Sequence, residues 1–181
     1  PTTTPAFATS IFFSKDFIYL GTEKWDGAEF SIIDVSDPFA PVVVGAFETN
    51  TLINDIYVQG DIAYLATSDK KQMRILDISD KSNPILIDSF SPPGWETQQG
   101  RVIEYFENTL ALGRTVGGFD VTTNHEAFIF PDSSDFPNHV SVNIPGGVYG
   151  MLYRPDITFL LTHSSLKEFQ VWKSDLSSKI F

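Results

Sequence analysis

The sequence contains no cysteine, few basic residues and no long apolar run. The absence of cysteine excludes disulfides, thiolate chemistry and cysteine-ligated zinc. Only 12 lysines and arginines stand against 23 aspartates and glutamates, and the resulting net charge of −11 argues against nucleic acid and anionic membranes as partners. No apolar stretch reaches the roughly 18 residues that a membrane-spanning helix needs, so we expect no membrane insertion within this segment.

The 181 residues are 42% hydrophobic, which suits the core of about one domain, and two of their segments repeat each other. The first segment is residues 17–41, FIYLGTEKWDGAEFSIIDVSDPFAP, and the second is residues 62–84, IAYLATSDKKQMRILDISDKSNP. Each has a tyrosine-containing apolar run, a polar turn, a second apolar run ending in aspartate, then Ser-Asp and a proline. The corresponding repeat residues are 43 positions apart: Asp34 and Asp77, Asp37 and Asp80, Pro41 and Pro84.

Two weaker copies follow. The third copy spans 110–123 and places Asp120 another 43 positions beyond Asp77, with an insertion predicted at 124–138. The fourth copy spans 157–174 and keeps only the apolar pattern. The repetition therefore extends along nearly the whole chain.

Short apolar runs separated by turn residues predict β-strands throughout. In the second copy we predict strands at about 56–59, 62–68, 73–79 and 84–91, and tight hairpin turns at 14–16 and 59–61. A proline at the first residue of a strand costs no ladder hydrogen bond, which suits Pro41 and Pro84. Four short strands in every ~40–50 residues are typical of a β-propeller blade.

We therefore predict an all-β fold, a β-propeller of four-stranded antiparallel blades, with about 3.5 to 4 blades in this chain. The blades are predicted at about 9–49, 55–92, 100–145 and 148–181. We expect the chain to be part of a larger propeller. The alternatives are a four-bladed ring closed by a strand from residues 1–10, and a ring formed by two chains.

The best-preserved parts of the repeat resemble a known family. SIIDVSDPFAPVVVGAF, within residues 29–47, and RILDISDKSNPILIDSF, within residues 73–90, are similar to the LVIVD repeat. The resemblance implies a β-propeller, usually in secreted or surface-attached proteins of bacteria and archaea, and it implies no shared catalytic residues. An extracellular or cell-surface location is expected from this resemblance alone.

The recurrent aspartates have a structural explanation. Asp34 and Asp77 are predicted to end the third strand, where a carboxylate can accept backbone N–H groups of the following turn. The alternative is a repeated calcium site, since carboxylates suit a hard cation. Each loop has only one or two carboxylates and no Asp-x-Asp-x-Asp-Gly string, so the structural interpretation is favoured.

A reactive cluster is hard to find. His125, Asp132, Asp135 and His139 lie close together in the sequence and are weak candidates for a metal site, because imidazole and carboxylate can bind zinc. The helical His-Glu-x-x-His spacing is absent, and no Gly-x-Ser-x-Gly nucleophile motif occurs. We therefore predict no catalytic residues, no metal and no cofactor.

Loop aromatics give the remaining functional signal. Trp25 lies in a predicted turn and Trp95 between two predicted blades, and exposed tryptophans are favoured at binding sites. We predict a non-enzymatic scaffold that recognises a protein or carbohydrate ligand. One alternative is a glycan-acting enzyme with an acidic site in the propeller funnel, which needs two suitably placed carboxyl groups. The other is an assembly subunit that self-associates through an open blade edge.

Overall fold

The computed structural model describes residues 6–92, 98–115, 126–131, 138–142, 146–154, 157–163 and 169–174. In these ranges the chain forms fifteen β-strands and no helix, as the sequence predicted. The strands make three four-stranded sheets and one three-stranded sheet, each antiparallel and in chain order. None of these ranges contains a helix long and apolar enough to cross a bilayer.

The strand limits follow the predicted repeat. The first sheet has β1 (Ala8–Ser14), β2 (Phe17–Thr22), β3 (Phe30–Asp34) and β4 (Val42–Phe47). The second sheet has β5 (Ile53–Gln59), β6 (Ile62–Thr67), β7 (Met73–Asp77) and β8 (Ile85–Phe90). The third sheet has β9 (Gly100–Phe106), β10 (Thr109–Arg114), β11 (Ala127–Phe130) and β12 (Val140–Val142). The fourth sheet has β13 (Gly147–Arg154), β14 (Ile157–His163) and β15 (Phe169–Ser174).

The first two strands of the first three sheets are joined by two-residue hairpin turns. In the first and second sheets the flanking pairs are Ser14 with Phe17 and Gln59 with Ile62, as the predicted turns require. Lys15, Gly60 and Glu107 have φ angles of 56°, 60° and 47°, at the same position of the three turns. A positive φ matches the twist of the flanking strands in such turns, so the backbone geometry is repeated even where the residue is not glycine.

The sheets stack like the blades of a propeller, confirming the predicted fold. The first strands of successive sheets lie next to each other, in the order β1, β5, β9 and β13. We call the side of a sheet that packs on the next sheet its front face, and the side toward the preceding sheet its back face. Stacking is required because a single sheet cannot cover both of its apolar faces.

Three apolar cores lie between neighbouring sheets. Between the first and second sheets, Tyr19, Phe30 and Ile32 pack against residues that include Ile56 and Leu65. The second and third sheets bury ten residues between them, among them Tyr64, Met73, Phe90, Leu112 and Phe130. A smaller core between the third and fourth sheets contains Ala111, Ala127, Ile129, Val142 and Val148.

The third sheet departs from the predicted spacing. The strand that pairs with β10 is Ala127–Phe130, with Leu110 opposite Phe130, and it lies inside the segment 124–138 that was expected to be an insertion. The 43-residue interval had instead pointed to a strand around Asp120. The connection between the second and third strands spans residues 115–126 here, compared with 68–72 in the second sheet, so the interval is not preserved. Residues 116–125, Asp120 among them, lie outside the described ranges.

One of the alternatives predicts that a strand from residues 1–10 closes the last blade. In the structure, Ala8, Ser10 and the rest of β1 pair with β2 in the first sheet. Pro1–Pro5 fall outside the described residues. The idea that residues 8–10 complete the fourth sheet is therefore wrong.

Candidate functional site

The repeat aspartates Asp34 and Asp77 lie at the ends of β3 and β7. Asp34 Oδ1 accepts a hydrogen bond from the Ser36 N–H at 2.8 Å, and Asp77 Oδ1 accepts one from the Ser79 N–H at 2.8 Å. The side-chain and backbone donors of Ser36 lower the pKa of Asp34, and the backbone and side-chain donors of Ser79 lower the pKa of Asp77. Both carboxylates thus hold the turn that follows the strand.

Asp37 and Asp80 hold the rest of the same loops. Asp37 Oδ1 accepts from the Phe39 N–H at 3.0 Å, and Asp80 Oδ1 accepts from the Ser82 N–H at 2.9 Å and from the Ser82 hydroxyl at 2.7 Å. The Ser82 donors lower the pKa of Asp80. The repeat prolines Pro41 and Pro84 stand directly before β4 and β8.

The proposed metal candidates are only partly described. His125, Asp132 and Asp135 lie outside the described residues, as does Trp95. The ring of His139 lies 5.1 Å from the ring of Phe90, 5.5 Å from that of Phe128 and 5.6 Å from that of Phe130. Within the described ranges, no group of three or more histidine, aspartate or glutamate side chains is placed to hold a metal ion. His139 therefore contributes to an aromatic cluster beside the third sheet.

Trp25 folds over its own turn between β2 and β3. Its Nε1–H donates to the carbonyl of Ala28 at 3.2 Å, and its side chain is half-buried. Gly27 lies under the ring, because a Cβ atom built on Gly27 would be 2.4 Å from Trp25 Cζ2. Because Trp25 is only half-buried, it stays a predicted binding residue.

A buried polar network that the sequence did not reveal lies at the same end of the sheets as Trp25. The fully buried Glu29 accepts at Oε2 from the Thr49 N–H at 2.8 Å, the Thr49 hydroxyl at 3.1 Å and the Asn50 N–H at 3.0 Å. These contacts tie the start of β3 to the connection between β4 and β5. They satisfy backbone N–H groups that burial would otherwise leave unpaired.

Arg74 extends this network between the first two sheets. Its guanidinium is paired with Asp69 through two hydrogen bonds of 2.9 and 2.7 Å, and it also donates to the Thr67 hydroxyl. A further hydrogen bond of 3.3 Å reaches the carbonyl of Thr49. The bidentate pair lets a charged side chain lie in the sheet interface.

A signal for this network does exist in the sequence. Glu29, Gln72 and Glu126 each precede the third strand of their sheet. Their carbonyls accept from the last residue of the second strand, at 3.0, 3.0 and 2.9 Å. A polar residue directly before the third apolar run could have been recognised as part of the repeat.

Equivalent β-bulges occur near the start of β1, β5, β9 and β13. The pairing register shifts by one residue at Thr9, Asn54, Arg101 and Tyr149, which we call the rim residues. A bulge redirects a side chain and often lies next to a functional site. These four positions share a place in the fold although they share no residue type.

The rim residues are linked from one sheet to the next. Thr9 donates to the carbonyl of Ile53, and Asn54 Nδ2 donates to the carbonyl of Gly100 at 2.7 Å. Arg101 Nη1 donates to Asn54 Oδ1 at 2.8 Å, and its guanidinium carbon lies 5.5 Å from the ring centroid of Tyr149. Arg101 is exposed and Tyr149 is 41% exposed, so this cation–π pair faces solvent.

Asp55 lies directly after a rim residue and has an unusual environment. Burial raises the pKa of Asp55 and the negative charge of Glu104 adds to the effect, although hydrogen bonds from Ile103, Ile56 and Ser10 oppose it. Its Oδ1 accepts from the Ile56 N–H at 2.9 Å and its Oδ2 accepts from the Ile103 N–H at 2.8 Å. Both oxygens therefore accept backbone N–H groups, and the bond from Ile103 holds β5 to β9.

Comparison with known proteins agrees with this geometry. Residues 7–49 and 53–91 match the LVIVD repeat family. The two matched segments together cover less than half of the chain. They coincide with the first two sheets and confirm the resemblance found in the sequence. No curated protein matches the chain.

Two solved structures share the fold of these LVIVD repeats and of the two sheets that follow. The computationally designed Ika4 protein is 12% identical with a TM-score of 0.59, over 94% of this chain and 92% of that chain. The computationally designed Ika8 protein is 12% identical with a TM-score of 0.62, over 92% of this chain and 46% of that chain. At this identity the likeness shows the fold alone.

The LVIVD loops and the rim lie at opposite ends of the sheets. The motif aspartates stand after the third strands, whereas the bulges stand at the beginning of the first strands. The motif is thus used for turn formation. The rim places an exposed guanidinium beside an exposed aromatic ring, and we take it as the candidate binding site.

Proposed function

We propose that this chain is a non-enzymatic scaffold that recognises a protein or a glycan, at the cell surface or outside the cell. The rim is the observation that supports recognition. Arg101 offers an exposed guanidinium and Tyr149 an aromatic ring that is 41% exposed, while Asn54 holds Arg101 in place by accepting its hydrogen bond. Such a combination suits the hydroxyl groups and apolar faces of sugars, and Tyr and Arg are also enriched at protein-binding sites.

The residue types at the rim vary from sheet to sheet, as expected of a binding site added to a repeated scaffold. The scaffold residues recur from sheet to sheet, but the four rim positions carry Thr, Asn, Arg and Tyr. Function is carried by sites grafted on a fold rather than by the fold itself. We therefore infer that the ligand binds at the rim.

Binding at the rim can be tested on arrays of glycans and of extracellular protein domains. We expect a ligand whose binding is lost at least about 30-fold in Arg101→Ala and Tyr149→Ala. The matched control is Glu107→Ala, which changes an exposed residue in the hairpin at the other end of β9. Binding that is equal in all three variants, or no binding on either array, would contradict the rim as the recognition site.

The glycan-acting alternative has one specific observation in its favour. A carboxyl group with a raised pKa beside a second acid, as in Asp55 and Glu104, is a pattern that general acids use. However, both Asp55 oxygens accept backbone N–H groups, which favours a structural role. We expect no release of reducing ends from polysaccharides. A hydrolytic rate that disappears in a folded Asp55→Asn variant would replace the scaffold proposal with the enzyme.

The location is proposed from the family resemblance. Limited proteolysis of intact cells that produce the protein is the direct measurement. We expect cleavage of the chain without cell lysis, and protection until lysis would contradict a surface location.

A further inference from the structure

The back face of the first sheet carries large exposed apolar side chains. Ile11 is 66% exposed and Phe13 is 63% exposed, while Ile18 and Ile33 are half-buried. Pairing across the sheet sets Phe13 beside Ile18 and Ile18 beside Ile33, so these residues form one continuous surface. We call this surface the open face.

The equivalent back-face residues of the second sheet are in contact with another sheet. In the second sheet the positions equivalent to Ile11 and Phe13 are Ile56 and Val58, which are only 3% and 5% exposed. The positions equivalent to Ile18 and Ile33 are Ala63 and Leu76, which are fully buried. They are buried because the front face of the first sheet packs on them.

The third sheet repeats the same relation. Its equivalent back-face residues include Ile103, Leu110 and Phe130, which are 4%, 0% and 0% exposed beneath the front face of the second sheet. In both the second and the third sheet, therefore, the back face is covered by the front face of the preceding sheet.

The open face also contains a groove that a neighbouring sheet could enter. The groove has a volume of about 550 Å³ and includes Phe13, Ile18, Ile33, Pro38 and Pro41 in its lining. Its charged lining residues are Lys15 and Asp16, whose charges cancel. In a molecule with a net charge of −11, a neutral apolar surface is the place where two like-charged copies repel each other least.

We propose that the open face binds a repeat sheet of a second copy of this chain. The contact continues the existing stack by one more sheet, in the same way as the first sheet covers the second. The complementary surface in the second copy is the front face of its fourth sheet, where Leu152 is 42% exposed and Leu161 is 38% exposed. The front faces of the first three sheets are apolar as well, but each already packs on the next sheet of the same chain. This inference does not depend on the ligand of the rim.

Sedimentation equilibrium of the full chain over a range of concentrations tests the proposal. We expect a dimer or a larger closed ring that becomes monomeric in the double variant Ile11→Thr and Phe13→Ser, with affinity reduced at least about 100-fold. Added salt should strengthen the wild-type association, because it screens the repulsion between acidic copies. The matched control is Ile87→Thr, since Ile87 is 51% exposed on β8, away from the open face. It should associate like the wild type.

The absence of cysteine allows a second measurement. In Ile11→Cys the only thiol reports directly on the open face. We expect rapid labelling by a thiol reagent at low protein concentration and protection at high concentration. A wild-type chain that stays monomeric, an association unaffected by the double variant, or a thiol whose labelling does not depend on concentration would each overturn the proposal.

Discussion

Several carboxylate side chains in this protein accept hydrogen bonds from backbone N–H groups. Glu29 does so inside the molecule, where Thr49 and Asn50 donate to it, and Asp34 and Asp77 do so at the surface. The surface role could be predicted from sequence because an Asx turn involves residues only two positions apart. The role of Glu29 could not, because its donors lie 20 and 21 positions away.

The Glu29 contacts predict a large effect of truncation. Glu29→Ala leaves the buried N–H group of Thr49 and the partly buried N–H group of Asn50 without their acceptor, and we expect a loss of about 3 kcal/mol in the free energy of unfolding. Urea denaturation measures it. The exposed neighbour Glu48 provides the control, since Glu48→Ala should change stability by less than ~0.5 kcal/mol. Equal midpoints for the two variants would refute the role given to Glu29.

The repeat aspartates predict a dependence on pH. The pKa of Asp77 is lower in the folded chain than the ~3.9 expected when unfolded, so its contribution is fully present above about pH 4 and is lost as the pH falls through the folded pKa. Asp77→Asn keeps an acceptor for the Ser79 N–H but cannot titrate. The stability difference between wild type and variant should therefore shrink on acidification.

Urea midpoints measured from neutral pH to about pH 3 check this expectation. Ser79→Ala removes one of the two Ser79 donors, so its pH dependence should lie between those of the wild type and Asp77→Asn. A difference between wild type and Asp77→Asn that stays constant across the range would show that Asp77 does not titrate as described.

At the scale of the strands, nearby residues in the sequence determine where a strand forms, whereas packing between side chains determines which strand it pairs with. The hairpin turns and the strands of the second repeat follow from alternating apolar runs and turn residues. In the third sheet, Glu126 and the strand β11 that follows it correspond in position to Glu29 and the strand β3. The longer connection before β11 moves this strand away from the position that the 43-residue interval predicts. Loops tolerate insertions more readily than strands do, so the length of a connection is harder to predict from the sequence.

The first and second sheets approach each other so closely at Gly45 that one added methyl group there should destabilise the fold. A Cβ atom on Gly45 in β4 would lie 1.9 Å from the carbonyl oxygen of Lys81 in the second sheet. Gly45→Ala must therefore separate the two sheets, and we expect a loss of about 2–3 kcal/mol.

Thermal unfolding with a glycine control isolates this effect. Gly60 has a φ of +60° but no atom near its Cβ position, so Gly60→Ala should cost only about 1 kcal/mol from backbone strain. If Gly45→Ala proved no more destabilising than Gly60→Ala, the close packing of β4 on the second sheet would be incorrect.

At the scale of the whole molecule, stability comes from the contacts between neighbouring sheets. Among the described residues, the second sheet has an apolar core on each face, whereas the first sheet has one on its front face alone. Stacked repeat proteins behave approximately as a sum of such nearest-neighbour interfaces. The two sheets should therefore differ in stability although their sequences are repeats of each other.

Amide hydrogen exchange at low protein concentration measures this difference. We expect the amides of β6 to exchange at least about tenfold more slowly than those of the equivalent strand β2, because opening β6 exposes two cores. The comparison is matched, since both are the second strand of an LVIVD repeat. Equal protection would mean that the back face of the first sheet is already covered.

By itself the sequence determined the strands and turns of the first two repeats, the repetition and the role of its aspartates, because each depends on residues close together in the chain. Only the tertiary structure decided the rim, the buried network and the open face. The rim contacts join residues 44 to 47 positions apart, through bulges that no shared residue type marks. Such contacts depend on how one sheet is set against the next, and that arrangement is fixed by the packing of all the side chains between them.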